Sequence, residues 1–166
     1  MNLIVAVDND FGIGKNGIIP WRIKEDMAFF RQETINKTII MGRKTLDSFK
    51  DGKPLKNRVN IVITKDASFS REGVMVAHCI NDVFDIIRDM DSEDVYVIGG
   101  GSIYGLFEPV CKYAYVTKVK DTFSCDTFFP DLDKAAEWKL IEEGENILTE
   151  SGHNISFCKY ERRFHD

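Results

Sequence analysis

A carboxylate on the apolar side of a helix is the first residue in this chain whose type and placing could do chemistry. Residues 17–31 read as a loop that runs through Pro20 and Trp21 into an amphipathic helix. At about 100° per residue, Ile23, Met27 and Phe30 share a face, with Phe29 further round, while Lys24, Arg31 and Gln32 lie opposite. Asp26 falls between Phe29 and Phe30. Burying an unpaired charge is costly, so a carboxylate there is paired, protonated or used on a ligand. Two readings stand side by side: a wetted Asp26 at the rim of the helix, or the floor of a pocket roofed by Trp21, Phe29 and Phe30.

A second group of residues could hold phosphate. Ile98-Gly99-Gly100-Gly101-Ser102 follows an apolar strand and opens a helix. Glycines at a helix N-terminus let backbone N–H groups approach an anion, aided by the helix dipole. A tight strand-to-helix turn is the plainer alternative. Gly42-Arg43-Lys44-Thr45 repeats the arrangement with two cations and a hydroxyl, and Thr64 with Lys65 ends the next strand in the same way. Although the net charge is −5, residues 37–65 carry eight Lys and Arg against only Asp47 and Asp51. That balance disfavours general nucleic-acid binding and suits an anionic small ligand, or else a solvated loop. Gly12-Ile13-Gly14-Lys15-Asn16-Gly17 fits G-x-G-x-x-G, but Ile18 to Trp21 follow it instead of a helix, and no acid ends the second strand. A glycine-hinged mobile loop beside a pocket is the better reading. Asp8-Asn9-Asp10 fails as a calcium loop, because Gly12 and Ile13 stand where a ligand and a glycine are needed.

The elements that must position these groups alternate. Strands are expected at Leu3–Val7, Thr38–Gly42, Arg58–Thr64, Val74–Ala77, Val95–Ile98 and Tyr113–Lys118. Helices are expected over about 22–34, Arg43–Phe49, 81–90 with Asn81 as its cap, and 102–107 with Ser102 as its cap. Trp138–Glu142 and Ile155–Arg162 read as a terminal antiparallel hairpin. The pattern implies one α/β domain over residues 1–166 with a largely parallel sheet. Cys79, Cys111, Cys125 and Cys158 are scattered and read as reduced thiols of a cytoplasmic protein. His78, His153 and His165 form no metal-ligand pattern, and His78 and Cys79 read as opposite faces of a strand. The first apolar run is too short for a signal peptide or a membrane span. The sequons at Asn36 and Asn154 are read as chance matches.

Taken together, the motifs resemble the dihydrofolate reductase family. The matching stretches are Gly12-Ile13-Gly14, Ile19-Pro20-Trp21 with Asp26 five residues on, Ile39 to Thr45, Arg58, Val97 to Tyr104, Thr117 and Asp126-Thr127-Phe128-Phe129-Pro130. They keep the family's order and spacing across nearly the whole chain. The resemblance implies reduction of 7,8-dihydrofolate to tetrahydrofolate by hydride transfer from NADPH, in support of one-carbon metabolism. It also implies an α/β fold: a central, mostly parallel eight-stranded sheet with an antiparallel C-terminal hairpin, flanked by about four helices. A cytoplasmic monomer with dihydrofolate and antifolates as ligands is expected, and no metal, nucleic acid or membrane.

By the same resemblance, Asp26 holds the pterin's ring N–H and amino group, supported by Thr117. A water gated near Trp21 delivers the proton, since Asp26 is too far from the accepting nitrogen. Ile4, Val5, Ala6, Met27, Phe30, Phe49, Leu55, Ile98 and Tyr104 surround the substrate, and Arg58 grips its α-carboxylate. On the cofactor side, Ala6, Ile13 and Ile19 line the nicotinamide, and Gly14, Gly17 and Ile18 are cofactor-binding residues of the same loop. Gly99, Gly100, Gly101 and Ser102 form the pyrophosphate turn, Lys44 and Thr45 a second phosphate contact, and Gly42, Ser48, Ile103, Tyr104 and Thr127 are further cofactor-binding residues. Arg43, Thr64 and Lys65 belong to the 2′-phosphate pocket, with Ile63 also cofactor-binding. Lys65 stands where a second small hydroxyl residue is common, and Ile19 where some relatives carry Met or Leu; the Asp126–Pro130 loop is expected to brace the mobile one. Other readings are a pyrimidine or pterin reductase of the same fold, and a non-catalytic folate or nucleotide binder.

Overall fold

Apolar runs without polar alternation become the inner strands of one large sheet, because both their faces are covered. The computed structural model describes residues 1–163, so His165 lies outside them. The strands are β1 (Asn2–Val7), β2 (Gly12–Gly14), β3 (Thr38–Gly42), β4 (Val59–Ile63), β5 (Val74–Ala77), β6 (Val95–Gly99), β7 (Tyr113–Val119), β8 (Thr127–Phe128), β9 (Trp138–Glu143), β10 (Ile147–Leu148) and β11 (Asn154–Arg162). The α-helices among the described residues are α1 (Lys24–Thr34), α2 (Arg43–Ser48), α3 (Ile80–Ile87) and α4 (Gly101–Phe107).

The sheet runs β10-β11-β7-β1-β6-β3-β4-β5. From β7 to β5 every neighbour is parallel. β11 then closes the edge antiparallel to β7. β9 and β10 pair in turn along the free side of β11, so the sheet is eight strands wide. This is the expected architecture, hairpin included. Leu3, Val5 and Val7 of β1 face one core with Ile40, Val97 and Val116, while Ile4 faces another with Ile39, Met41 and Tyr96. That split is the period-two alternation of a strand buried on both sides.

Several expectations are corrected. Asn81 does not cap α3 and Ser102 does not cap α4. The caps are Cys79 and Gly100, and neither makes a side-chain capping bond. His78 and Cys79 lie beyond the end of β5 and not within a strand. The Asp8–Pro20 stretch is not all loop: Gly12–Gly14 pairs antiparallel with Thr127–Phe128. Met27, expected on the apolar face of α1, is 52% exposed. The buried side of α1 centres on Ile23, Asp26, Phe30 and Thr34, and Met27 sits a full 100° step from Asp26, on the flank.

Candidate active site

Parallel strands deliver their carboxyl ends to one side of the sheet, and the turns there build the site. Asp26 arrives from the first turn of α1. Across from it, Thr117 stands in β7 opposite Ala6 of β1 and is 2% exposed. The Thr117 hydroxyl donates to Asp26 Oδ1 at 2.6 Å. Burial pushes the Asp26 carboxyl above its ordinary range, and the Thr117 bond opposes that only in part. Asp26 is neither wet at the rim nor sealed in a core. It is a partly buried carboxylate, poorly solvated, with one oxygen held and the other open to a partner.

The surrounding side chains agree with the expected pocket. Phe30, Phe49, Leu55 and Ile98 pack against one core cluster with Ile4. The buried Tyr104 hydroxyl sits 2.7 Å from the Ile4 carbonyl oxygen and 2.8 Å from that of Ile98, which joins β1 and β6 at the pocket edge. Burial first, and the Asp26 charge second, raise the Tyr104 pKa, so its proton stays on as a donor. Val5 and Ile63 point into the cores. Trp21 is buried, its ring 5.0 Å from that of Phe123, and its indole N–H has no protein partner among the described residues.

An ionised Asp26 in this setting destabilises the protein without a ligand. Because its folded pKa is raised, the native state holds the proton more tightly than the unfolded chain does. Stability therefore falls as pH rises from the ordinary carboxylate value of 3.8 through the higher folded value, and stays reduced above it. Asp26→Asn removes that penalty and keeps an acceptor for Thr117. Thermal melts should show the ligand-free variant more stable than the parent at neutral pH, with the gap closing in acid. A variant that melts lower at neutral pH would contradict this.

Arg58 donates through Nε to the Thr34 hydroxyl at 3.0 Å and through a terminal nitrogen to the Lys56 carbonyl at 3.0 Å. No carboxylate among the described residues pairs with it. Burial, with Arg31 nearby adding positive charge, lowers its pKa, so the pair of cations favours an incoming anion.

The two glycine turns meet. A Cβ on Gly42 would stand 3.0 Å from Ile103, and one on Gly100 would stand 3.8 Å from the Thr45 hydroxyl. A Cβ on Gly101 would come within 2.8 Å of Thr127 and 3.9 Å of Ile13, so only glycine leaves the cradle open. Gly99 has φ 122°, and a Cβ there would stand 3.1 Å from the Tyr104 ring. Lys44 and Ser102 are exposed beside this cradle. Backbone N–H groups, hydroxyls and a lysine at adjoining helix starts are a donor set that fits a diphosphate.

The basic island is less free than its composition suggests. Arg43 pairs with Asp47 at 3.3 Å and with Asp66 at 3.6 Å, one residue past the island, and lies 4.3 Å over the Phe69 ring. Lys37 pairs with Asp94 at the opposite end of β3. Ser48 spends its hydroxyl on the Thr45 carbonyl at 2.6 Å. Sequence reasoning passed over His78, whose ring nitrogen lies 2.8 Å from the Thr64 carbonyl and so borders the Thr64–Lys65 corner. The loop carrying Asp126 braces the glycine loop as expected: the Asp126 carboxylate accepts from the Asn16 N–H at 2.9 Å, beside the pairing of Gly12–Gly14 with Thr127–Phe128. Ile18 and Ile19, between these contacts and Trp21, are exposed at 70% and 61%, large apolar side chains left for a ligand to cover.

Comparison with known proteins agrees with this arrangement. The family model described as Dihydrofolate reductase matches residues 1–162. A dihydrofolate reductase from Heliothis virescens is 39% identical, with 86% of this chain and 85% of that protein covered. One from Staphylococcus haemolyticus is 37% identical over 98% of this chain and 95% of its own. Among solved structures, dihydrofolate reductase from Enterococcus faecalis, complexed with NADP(H) and RAB-propyl, superposes with a TM-score of 0.85 at 31% identity, covering 98% of this chain and 96% of that one. With the match running from the first strand to the last, the chain belongs to the dihydrofolate reductase family.

Proposed function

We propose that this protein, acting as a single-domain monomer in the cytoplasm, carries out its family's reaction with the residues described above. The reaction is reduction of 7,8-dihydrofolate to 5,6,7,8-tetrahydrofolate by NADPH. The observation that carries the assignment of roles is the Thr117–Asp26 bond, which leaves a poorly solvated carboxylate aimed at the pocket. Unpaired cysteines support the cytoplasm, and no helix among the described residues is long and apolar enough to cross a membrane.

A carboxylate accepts two parallel N–H donors, as the pterin's ring N–H and amino group present them. Asp26 thereby orients the pterin, and the Ile4 and Ile98 carbonyls beside Tyr104 extend that polar edge. Phe30, Phe49 and Leu55 exclude water along the substrate. The open Trp21 N–H suits a water that enters past the Gly12–Trp21 loop and supplies the proton, a role we withhold from Asp26. Gly99 to Ser102, Lys44 and Thr45 would hold the cofactor's diphosphate, and Arg43, Thr64, Lys65 and His78 its 2′-phosphate. NADPH supplies the hydride when bound. Asp66 competes with a phosphate for Arg43, so Lys65 carries more of the NADPH preference than its neighbour. The fall of reduced-nicotinamide absorbance only when dihydrofolate is added tests the assignment, since a binding protein would show no such fall.

Arg58 takes the substrate's α-carboxylate. Arg58→Gln should raise KM for dihydrofolate by about 10- to 100-fold, the value of a charge-assisted forked pair, with kcat changed little. A pterin substrate lacking the glutamate should not distinguish the two enzymes in steady-state assays. Equal loss on both substrates would remove Arg58 from that role.

A further inference from the structure

Asp8 follows the last residue of β1 and is only 3% exposed. A buried carboxylate usually needs a cation, yet this one is held by N–H groups and a thiol. Its Oδ1 accepts from the Asp10 N–H at 2.9 Å and from the Gly12 N–H at 2.7 Å. Its Oδ2 accepts from the Phe123 N–H at 3.1 Å, with Cys125 Sγ at 3.6 Å. Burial pushes the Asp8 pKa up, but the backbone N–H groups of Phe123, Gly12 and Asp10 outweigh it, so the group stays ionised.

The two oxygens divide between two walls of the site. Gly12 leads directly to Ile13 and Gly14, at the root of the mobile loop. Phe123 carries the ring that packs against Trp21 at 5.0 Å. Gly12 has no room to do otherwise: a Cβ there would meet Cys125 at 2.6 Å and Asp8 Oδ1 at 2.8 Å. On its other side the Asp8–Phe11 turn borders a cavity of about 190 Å³ that also contacts Lys118 and Asp133. Phe11 and backbone bonds such as Asn9 N–H to the Asp121 carbonyl at 2.9 Å hold the turn's frame, and the carboxylate alone ties Gly12 to Phe123.

We propose that Asp8 is a positioning residue for hydride transfer, acting through Gly12 on Ile13 and through Phe123 on Trp21. The inference rests on the reductase reading, in which Ile13 and Trp21 flank the reacting rings. Misplacing reacting groups by a fraction of an ångström costs rate steeply, while the binding of either ligand alone need not change.

Asp8→Asn is the test, because it keeps the shape and the Oδ1 acceptor but sets an amide N–H against the Phe123 N–H. Single-turnover reduction of dihydrofolate should show the observed rate constant reduced about tenfold, with full amplitude and with NADPH affinity within about twofold of the parent. The amplitude counts folded sites and the rate constant reports their alignment. Phe123→Leu, which keeps the carboxylate, should also slow the step, and the double variant should be no slower than the slower single one. Should Asp8→Asn fail to fold, a slowed Phe123→Leu at full amplitude still supports the route through Phe123. Reduced amplitude with an unchanged rate constant, or losses that multiply in the double variant, would overturn the proposal. Absence of turnover in the parent enzyme would instead overturn the reductase reading itself.

Discussion

Replacing Asp26 by asparagine lowers kcat/KM for dihydrofolate by at least about a hundredfold and leaves NADPH affinity within about twofold. An asparagine side chain offers one acceptor and one donor where the pterin presents two donors, so one bond is lost and a donor faces a donor. Charge-assisted bonds of this kind are worth roughly 1.5–3 kcal/mol each in a poorly solvated site, which sets the scale of the loss. Cofactor affinity is spared because the glycine turns lie at the ends of β3 and β6, whereas Asp26 projects from α1 and bonds Thr117 of β7. Steady-state kinetics and a fluorescence titration with NADPH separate the two quantities. A parallel fall in both would make Asp26 a structural residue. The same variant is expected to be the more stable protein without ligand, so stability and activity move in opposite directions at this one position.

Gly99→Ala should cost about 2–3 kcal/mol of stability and weaken NADPH binding at least tenfold. Its φ of 122° disfavours any side chain, and the new methyl group would press on the Tyr104 ring at 3.1 Å. That ring cannot retreat without losing the hydroxyl contacts to Ile4 and Ile98. Gly105→Ala, in α4 with nothing within 4 Å of the added methyl, is the matched control and should be neutral or slightly stabilising. Thermal melts and NADPH titrations of the two variants report the contrast. Similar behaviour would mean that the glycine turn is not under the restraint described.

Much of this site is legible in residue order. β1, β3 and β6 are almost wholly apolar runs, and β4 is one apart from the buried Asn60; such runs have few alternatives to an inner parallel strand. Asp26 stands out because a carboxylate breaks an apolar stripe, and Thr117 because the resemblance places it. What the sequence conceals is long-range or conditional. The pairing of Gly12–Gly14 with Thr127–Phe128 spans more than a hundred residues and uses strands too short to carry a period. The resemblance places a brace at residues 126–130, which the Asp126–Asn16 bond supplies, but the exact pairing and the Asp8 anchor at Gly12 are not legible in residue order. The charge of residues 37–65 looks available until Asp66, Asp94 and the fold bring acids to Arg43 and Lys37. The cap assignments at Asn81 and Ser102 follow residue preference, whereas the strand-to-helix turns start each helix one or two residues earlier.

The most direct measurement of the central claim is a single-turnover reaction of the purified enzyme with dihydrofolate and NADPH deuterated at the transferring position, followed by nicotinamide absorbance and by mass of the product. The account predicts dihydrofolate-dependent loss of absorbance, one deuterium carried into tetrahydrofolate, and at least hundredfold slowing in Asp26→Asn. Folded protein that binds both ligands without oxidising NADPH, or an Asp26→Asn enzyme as fast as its parent, would contradict it.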